Sequence, residues 1–316
     1  MDALRDWWDR TNVPPLQYPV QVFGVKPENK AALDAALSEL YVWTYREAFA
    51  PLPRSSLCSD KGWGCLIRTG QMLLARALQK HGAFVPAMFR DVADDDAAPF
   101  SIHAFVRAVA DPKKAFTDKF WSPSQCCEAI RATVARAPLE KRLSVYKADC
   151  GCIYEDEVMF QLKQSPLFIL APVLTSTSKT ITQQVFVILD LLLRLPNVVG
   201  VVGGTPKRSY FVVGASGQRL LYLDPHVRTQ PAFVDAKSIG MHHETADTLQ
   251  STEWKRLDPS LLIGFYVADA EDFARMTKEL RQMTLGLDAE CNFIHVEASR
   301  ASAKGCEAVA TWDDDE

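Results

Sequence analysis

Apolar residues recur at helical spacing in the stretch that follows Gly64. The positions that share this spacing are Leu66, Thr69 and Gly70, Leu73 and Leu74, and Ala77 and Leu78. A period of this kind predicts a helix with one buried face, and the small residues among these positions allow close packing against a neighbour. Cys65 is therefore expected at or near the first turn of a buried helix.

The rest of the chain mixes strand and helix patterns. Short apolar runs bounded by glycine or proline predict strands at 20–23, 166–173, 210–214, 219–223 and 261–267. Longer runs with helical period predict helices at 31–45, 181–195 and 269–283. A weaker, mostly helical pattern is interpreted as an inserted subdomain at about residues 90–165. Residues 1–296 form the predicted catalytic domain, and residues 297–316 a flexible acidic tail.

Composition and charge narrow the class of protein. With 316 residues, 48% of them hydrophobic, and a net charge of −4, the chain is typical of a globular protein without a nucleic-acid-binding surface. No apolar run reaches the ~18–20 residues of a membrane span. The start of the chain lacks a basic leader followed by an apolar region. The eight cysteines are therefore predicted to be reduced thiols of a cytoplasmic protein.

The candidate nucleophile is Cys65, which ends the sequence Gly62-Trp63-Gly64-Cys65. The two glycines allow a tight backbone path because they carry no Cβ. Unpaired N–H groups and the positive dipole at the start of a helix favour a thiolate over a thiol. A packed core cysteine is the alternative, since free cysteines are usually buried and inert.

The candidate base lies more than 150 residues further along, in Leu223-Asp224-Pro225-His226. Residues i and i+2 of a strand point to the same face, so Asp224 and His226 can project together if the strand at 219–223 continues. A carboxylate holds an imidazole in one tautomer and leaves its other nitrogen to face a thiolate. A single D-P-H is more often a capped turn, but its pairing with G-W-G-C strengthens the catalytic interpretation.

Further motifs, read with these two, resemble the autophagin family, the autophagy-related cysteine proteases that process a ubiquitin-like modifier. The matching segments are TYREAF at 44–49, SDKGWGCLIRTGQM at 59–72, GVVGGTP at 200–206, YFVVG at 210–214, LDPH at 223–226, DPS at 258–260 and IGF at 263–265. The blocks keep their order and cover most of the chain. The resemblance implies an α+β, papain-like fold, with a mostly antiparallel sheet and an inserted helical subdomain.

The resemblance, read with the chemistry of the residues, assigns roles in a thiol hydrolase. Cys65 attacks the substrate carbonyl, His226 protonates the leaving amine and later activates water, and Asp224 orients His226. The hydroxyl of Tyr45 and the backbone N–H of Cys65 stabilise the oxyanion. No metal or cofactor enters this mechanism.

The resemblance also implies how substrate is bound and what it is. A loop comprising Gly204, Thr205, Pro206 and Lys207, together with Trp121, clamps a glycine-containing tail. The substrate is an autophagy ubiquitin-like modifier, cut after its C-terminal glycine to expose that glycine for conjugation, and later released from phosphatidylethanolamine. The expected partners are therefore the modifier, as precursor and lipid conjugate, and transiently the autophagosomal membrane surface.

Other site types receive little support from the sequence. Cys126-Cys127, Cys150-Gly151-Cys152 and His242-His243 match no zinc-ligand spacing. The glycine-rich stretch at 200–206 lacks the G-x-x-x-x-G-K-[ST] pattern of a phosphate-binding loop. Two other functions stay open: a protease for another ubiquitin-fold modifier that shares G-W-G-C and D-P-H, and a catalytically silent module that binds the modifier. Cys58 is a nearby candidate for a redox partner of Cys65.

Overall fold

A mixed, mostly antiparallel sheet forms the centre of the structure, a computed structural model that describes residues 15–93, 96, 98–111, 113–235, 245–285 and 293–301. The described strands are β1 (Gln21–Val22), β2 (Tyr45–Glu47), β3 (Ser144–Lys147), β4 (Cys152–Tyr154), β5 (Leu167–Leu174), β6 (Val198–Gly203), β7 (Tyr210–Ser216), β8 (Arg219–Leu223), β9 (Thr229–Pro231), β10 (Gln250–Glu253), β11 (Ser260–Val267) and β12 (His295–Glu297). The strand order of the main sheet is β10-β8-β7-β6-β11-β5-β3, with β1 paired to β7. Every pair in it is antiparallel except β3–β5.

The helices of the described part of the chain surround this sheet. They are α1 (Lys30–Leu37), α2 (Cys65–His81), α3 (Ile102–Val109), α4 (Pro123–Arg136), α5 (Glu155–Leu162), α6 (Gln183–Leu192) and α7 (Ala270–Thr284). Short 3-10 turns lie at Pro86–Phe89 and Trp254–Arg256. The predicted combination of mixed helices and strands with a mostly antiparallel sheet is confirmed.

Helix α2 is the central helix, and it packs against β6, β7 and β11 on one side and α4 on another. Its apolar period from Leu66 to Leu78 is buried, as the sequence predicts. Gly70 explains how closely α4 approaches, because a Cβ built there would lie 2.4 Å from the sulfur of Cys126. The helix begins at Cys65, which places the candidate nucleophile at the edge of the core.

Residues 90–165 are helical over α3, α4 and α5, but strand β3 within this segment pairs with β5 of the main sheet. Phe105 and Ile130 from the segment belong to the same buried core cluster as the sheet residues. The prediction of a separate inserted subdomain therefore stays a prediction.

The predicted helix at 31–45 is wrong in its second half. Helix α1 ends at Leu37, and Tyr45 begins the short strand β2, which pairs in parallel with β9. The sequence Val42-Trp43-Thr44 lies between them, and β-branched and aromatic side chains lose rotamer freedom in a helix. All three residues are buried, so core packing decides the conformation of this segment.

The described part of the C-terminal region contacts the domain. Strand β12 pairs in parallel with β4, and Arg300 forms ion pairs with Glu157 at 2.5 Å and Asp149 at 2.9 Å. The remainder of the predicted tail, residues 302–316, lies outside the described residues, as does the His242-His243 pair. Among the helices of the described residues, none has the length and hydrophobicity to cross a membrane.

Candidate active site

The chain reaches Cys65 through a turn that requires two glycines for different reasons. Gly62 has φ +88°, in the left-handed region that favours glycine. At Gly64 the limit is space, because a Cβ would lie 2.5 Å from the Cβ of Asp60. The Gly64 N–H donates to the carbonyl of Asp60 at 2.9 Å, which closes the turn. The predicted tight path into the cysteine is confirmed.

Cys65 is the first residue of α2 and is 2% exposed. Gly64 at the N-cap supplies no side-chain hydrogen bond to the helix. The first-turn N–H groups are therefore not capped by a side chain, and the positive end of the helix dipole lies at the sulfur.

Asp224 and His226 meet directly after β8. The Nδ1 atom of His226 lies 2.5 Å from Oδ1 of Asp224, and the His226 backbone N–H donates to the same oxygen at 2.9 Å. The strand does not continue through them, because β8 ends at Leu223 and a turn includes Pro225 and His226; the turn, and not strand alternation, brings the two side chains together. The Asp224 side chain stabilises this turn by accepting from the backbone two residues later, a common aspartate role.

The electrostatics of His226 follow from its neighbours. Burial alone would lower the pKa of His226, but its contacts with Asp224 and Cys65 outweigh burial and raise the pKa to about 9. Two tyrosine rings, Tyr45 and Tyr210, pack edge-on to the imidazole at centroid distances of 5.2 and 5.8 Å. The imidazole is thus confined on several sides and is mostly protonated at neutral pH.

Tyr45 joins the cysteine and the histidine. Its backbone N–H donates to the carbonyl of Pro225 at 3.1 Å, which ties β2 to the turn that bears His226. Its hydroxyl interacts with Cys65, and burial together with that neighbour raises the pKa of the Tyr45 hydroxyl well above its usual value. The phenol therefore stays protonated and can donate a hydrogen bond at the sulfur.

A cleft of about 280 Å³ opens beside Cys65. The predicted substrate-contacting residues Trp121, Gly204, Thr205 and Lys207 line it, whereas Pro206 lies between two of them without lining the cavity. The lining also includes Leu66, Phe120, Ser122, Pro123, Gly203, Arg208, Ser209, Asp258 and Ser260. The structure thus brings the predicted loop and the tryptophan segment together at the nucleophile.

The loop at 204–209 is held at both ends by hydrogen bonds. The carbonyl of Gly204 accepts from the Asp258 N–H at 2.6 Å, and the hydroxyls of Ser209 and Thr69 of α2 lie 2.8 Å apart. A Cβ at Gly204 would lie 2.1 Å from the carbonyl oxygen of Arg208. Close packing thus accounts for the glycine at 204.

Sequence reasoning missed the role of Tyr210, which contacts both His226 and the loop. The environment of its hydroxyl includes Thr205 and Arg208, and burial raises the pKa of that hydroxyl. Its position at the start of the Y-F-x-x-G segment could have drawn attention to it. Asp258 and Ser260 were recognised only as part of a motif, without a place at the cleft.

Among the cysteines that the structure describes, Cys65 alone lines the cleft. Cys126 and Cys127 are buried, and burial raises the pKa of the Cys126 thiol, so both are expected to be inert. Cys58 and Cys150 are exposed. Within the described ranges, no group of three or more histidine, cysteine or acidic side chains could hold a metal ion.

A buried cysteine at a helix N-terminus, beside a histidine paired with an aspartate, is the arrangement of a cysteine peptidase. Comparison with known proteins agrees: residues 30–279 match the model of the peptidase C54 catalytic domain. The chain therefore belongs to the peptidase C54 family, and it is a cysteine peptidase.

Relatives of known name extend over most of the chain. A probable cysteine protease atg4 of Aspergillus niger is 32% identical over 288 residues, which is 77% of this chain and 71% of that protein. The cysteine protease atg4 of Emericella nidulans is 30% identical over 285 residues, 74% of this chain and 69% of that protein. Cysteine protease 1 of Neurospora crassa is 32% identical over 283 residues, 74% of this chain and 55% of that protein.

Proposed function

We propose that this peptidase cleaves after the C-terminal glycine of an autophagy ubiquitin-like modifier precursor and releases the same glycine from phosphatidylethanolamine. The observation that carries the proposal is the convergence of Cys65, His226 and Asp224, with the Tyr45 hydroxyl beside the sulfur. The family relationship supports the protease class, and the names of the relatives support a role in autophagy.

The proposed reaction begins from a thiolate at Cys65 and an imidazolium at His226. The sulfur attacks the carbonyl carbon of the substrate glycine, and the carbonyl π electrons move onto oxygen. When the C–N bond breaks, His226 gives its proton to the leaving amine, and a thioester remains on Cys65. Neutral His226 then takes a proton from water, whose oxygen attacks the thioester and releases the glycine carboxylate and the thiolate.

Two donors would stabilise the oxyanion of each tetrahedral intermediate. Tyr45 keeps its proton because the pKa of its hydroxyl is raised, and that hydroxyl interacts with Cys65. The backbone N–H of Cys65 lies at the start of α2 and has no helical partner. Donors fixed before reaction cost little reorganisation when the charge develops.

The cleft favours a substrate with a small residue at the point of cleavage. Its volume of about 280 Å³ is narrow for an extended peptide with bulky side chains, and Trp121 and the Gly204–Lys207 loop both line it. We propose that Trp121, Gly204, Thr205, Pro206 and Lys207 clamp the glycine tail. In this proposal residues 90–165 act as an inserted subdomain that supplies Trp121.

The proposed setting is the cytoplasm, with transient peripheral contact at the autophagosomal membrane where the lipid conjugate is found. The only partner this proposal requires is the modifier, as precursor and as conjugate, and no nucleic acid takes part.

The test is mass spectrometry of a modifier precursor incubated with purified protein. We expect wild type to release the residues after the terminal glycine and Cys65→Ala to release none. Cys58→Ala is the matched control, since Cys58 is an exposed cysteine that does not line the cleft. Cleavage by pure Cys65→Ala would remove the mechanism.

Two further measurements distinguish this proposal from the two alternative functions. Preferential cleavage of another ubiquitin-fold precursor would replace the substrate assignment while keeping the mechanism. Binding of the modifier without cleavage, and without labelling of Cys65 by a glycine-aldehyde probe, would indicate a silent binding module.

A further inference from the structure

A buried ionic cluster lies behind the site, centred on Arg68, three residues after Cys65 in α2. Its Nε donates to Oδ2 of Asp60 at 2.5 Å, and its Nη1 donates to Oδ1 of Asp91 at 2.8 Å. The side chains of Arg68 and Asp60 are 0% exposed, and that of Asp91 is 2% exposed. Desolvation of this kind is costly unless geometry and pairing are good, so the location next to the nucleophile requires an explanation.

Asp60 connects Arg68 to two segments that precede the cysteine, strand β2 and the turn at Gly64. Its Oδ1 accepts the Arg46 backbone N–H at 2.6 Å, directly after Tyr45 in β2. Its carbonyl accepts the N–H of Gly64, in the turn that leads into Cys65. Asp60 therefore joins the nucleophile turn through its carbonyl, and Arg68 and the strand that carries Tyr45 through its carboxylate.

Asp91 connects Arg68 to the segment that follows the histidine turn. Its Oδ2 accepts the Phe233 N–H at 3.0 Å, and its own N–H donates to the Phe233 carbonyl at 2.6 Å. Phe233 follows β9, whose Thr229 pairs with Tyr45 of β2. Asp91 is therefore a buried residue of the core and belongs to the ionic cluster.

These contacts form two chains of hydrogen-bonded and paired residues that link the segment of Cys65 to the segment of His226. One runs from Arg68 through Asp60 and β2 to Tyr45, whose N–H donates to the carbonyl of Pro225. The other runs from Arg68 through Asp91 to Phe233 and β9. Arg46, also buried, adds a donor from its Nη1 to the Pro231 carbonyl at 3.1 Å. With two arginines and two aspartates the cluster is balanced in formal charge.

We propose that Arg68, held between Asp60 and Asp91, is a positioning residue that fixes the distance between Cys65 and His226. The inference rests on the proposed function, since it concerns how the same site is aligned. A guanidinium suits the task because its planar donors reach two carboxylates in fixed directions, whereas an ammonium is a single point of charge. Small misplacement of reacting groups lowers the rate steeply.

The experiment compares Arg68→Lys with wild type by steady-state cleavage and by the pH dependence of Cys65 alkylation with iodoacetamide. We expect kcat to fall about 10- to 100-fold, by analogy with other small misplacements of catalytic groups, while KM changes less than about twofold. We also expect the ratio of alkylation rates at pH 6 and pH 8 to fall, because the sulfur loses its aligned imidazolium. Arg76→Lys is the matched control: Arg76 lies on α2 and pairs with Glu39 at 3.4 Å, away from the cleft.

A second variant, Asp91→Asn, covers the case in which Arg68→Lys does not fold. Its amide oxygen can still accept from Arg68, but the charge and the second acceptor for Phe233 are lost, so we expect a smaller effect in the same direction. A folded Arg68→Lys, or failing it a folded Asp91→Asn, with wild-type kcat and alkylation profile would overturn the proposal. Loss of folding in both would overturn it too, in favour of a structural role alone.

The alkylation arm uses no modifier. Alkylation therefore still tests the role of Arg68 if wild type fails to cleave the precursor. Failure to cleave would refute only the proposed substrate.

Discussion

Replacing Asp224 by asparagine should narrow the pH range in which the peptidase is active. Asp224→Asn keeps an oxygen that can accept from both the ring and the backbone N–H of His226, which lie 2.5 and 2.9 Å from Oδ1. It removes the carboxylate charge, one of the causes that raise the pKa of His226 to about 9. Without it, the pKa should fall toward its ordinary value of about 6.5.

The size of the effect follows from the populations of the imidazolium. With a pKa of about 9 the ring is almost fully protonated at pH 6 and about 90% protonated at pH 8. With a pKa of about 6.5 it is about three-quarters protonated at pH 6 and about 3% protonated at pH 8. The ratio of wild-type to variant activity should therefore grow by at most roughly 20-fold between pH 6 and pH 8, since Cys65 still raises the pKa of His226 in the variant. The deficit of the variant should grow with rising pH because the wild-type histidine pKa is raised. The wild-type ring stays protonated below about pH 9 and loses its proton as the pH rises through that value.

The assay is kcat/KM for cleavage of the modifier precursor from pH 5.5 to 9.5. A change of tautomer adds a pH-independent loss, so the total deficit at pH 8 should be on the order of 10²-fold or more. Asp190→Asn is the control, because Asp190 lies on α6, outside the cleft, and pairs with Arg194 just beyond the helix. A ratio that stays constant across this range would refute the assignment of Asp224 as the group that sustains the imidazolium.

Three further predictions concern other contacts of the site and core. Tyr45→Phe should lower kcat about 10²-fold, because one oxyanion donor is lost, and should leave KM nearly unchanged. Steady-state kinetics would measure both constants, and an unchanged kcat would show that Tyr45 is not an oxyanion donor. Gly204→Ala should raise KM more than it lowers kcat, because its Cβ would lie 2.1 Å from the Arg208 carbonyl and displace the loop; an unchanged KM would contradict the clamp. Gly70→Ala should reduce the free energy of unfolding, measured by urea titration, by about 1–3 kcal/mol. The reason is that its Cβ would lie 2.4 Å from the Cys126 sulfur. A free energy of unfolding equal to that of wild type would show that α4 can shift without cost.

Local pattern was sufficient for the central helix and for the strand before the histidine. The helical period after Gly64 predicted α2 with Cys65 at its start, and the apolar run 219–223 matches β8. These predictions succeeded because a buried helix face and a buried strand each leave a periodic record in the sequence. The prediction of a helix at 31–45 was wrong beyond Leu37. There the chain leaves the helix and enters strand β2 at Tyr45.

The sequence by itself determined the candidate residues for the chemistry, since G-W-G-C and D-P-H supply a cysteine, a histidine and a carboxylate for the proposed roles of nucleophile, base and orienting group. Only the tertiary structure decided how these groups meet. The turn after β8, and not an extended strand, brings Asp224 to His226, and the Tyr45 N–H docks β2 on the Pro225 carbonyl. The same holds for Asp91. It lies far from Arg68 in the sequence, and only the fold brings the two side chains into contact in the core. Contacts between residues distant in the chain depend on how elements pack, and that packing leaves no period in the sequence.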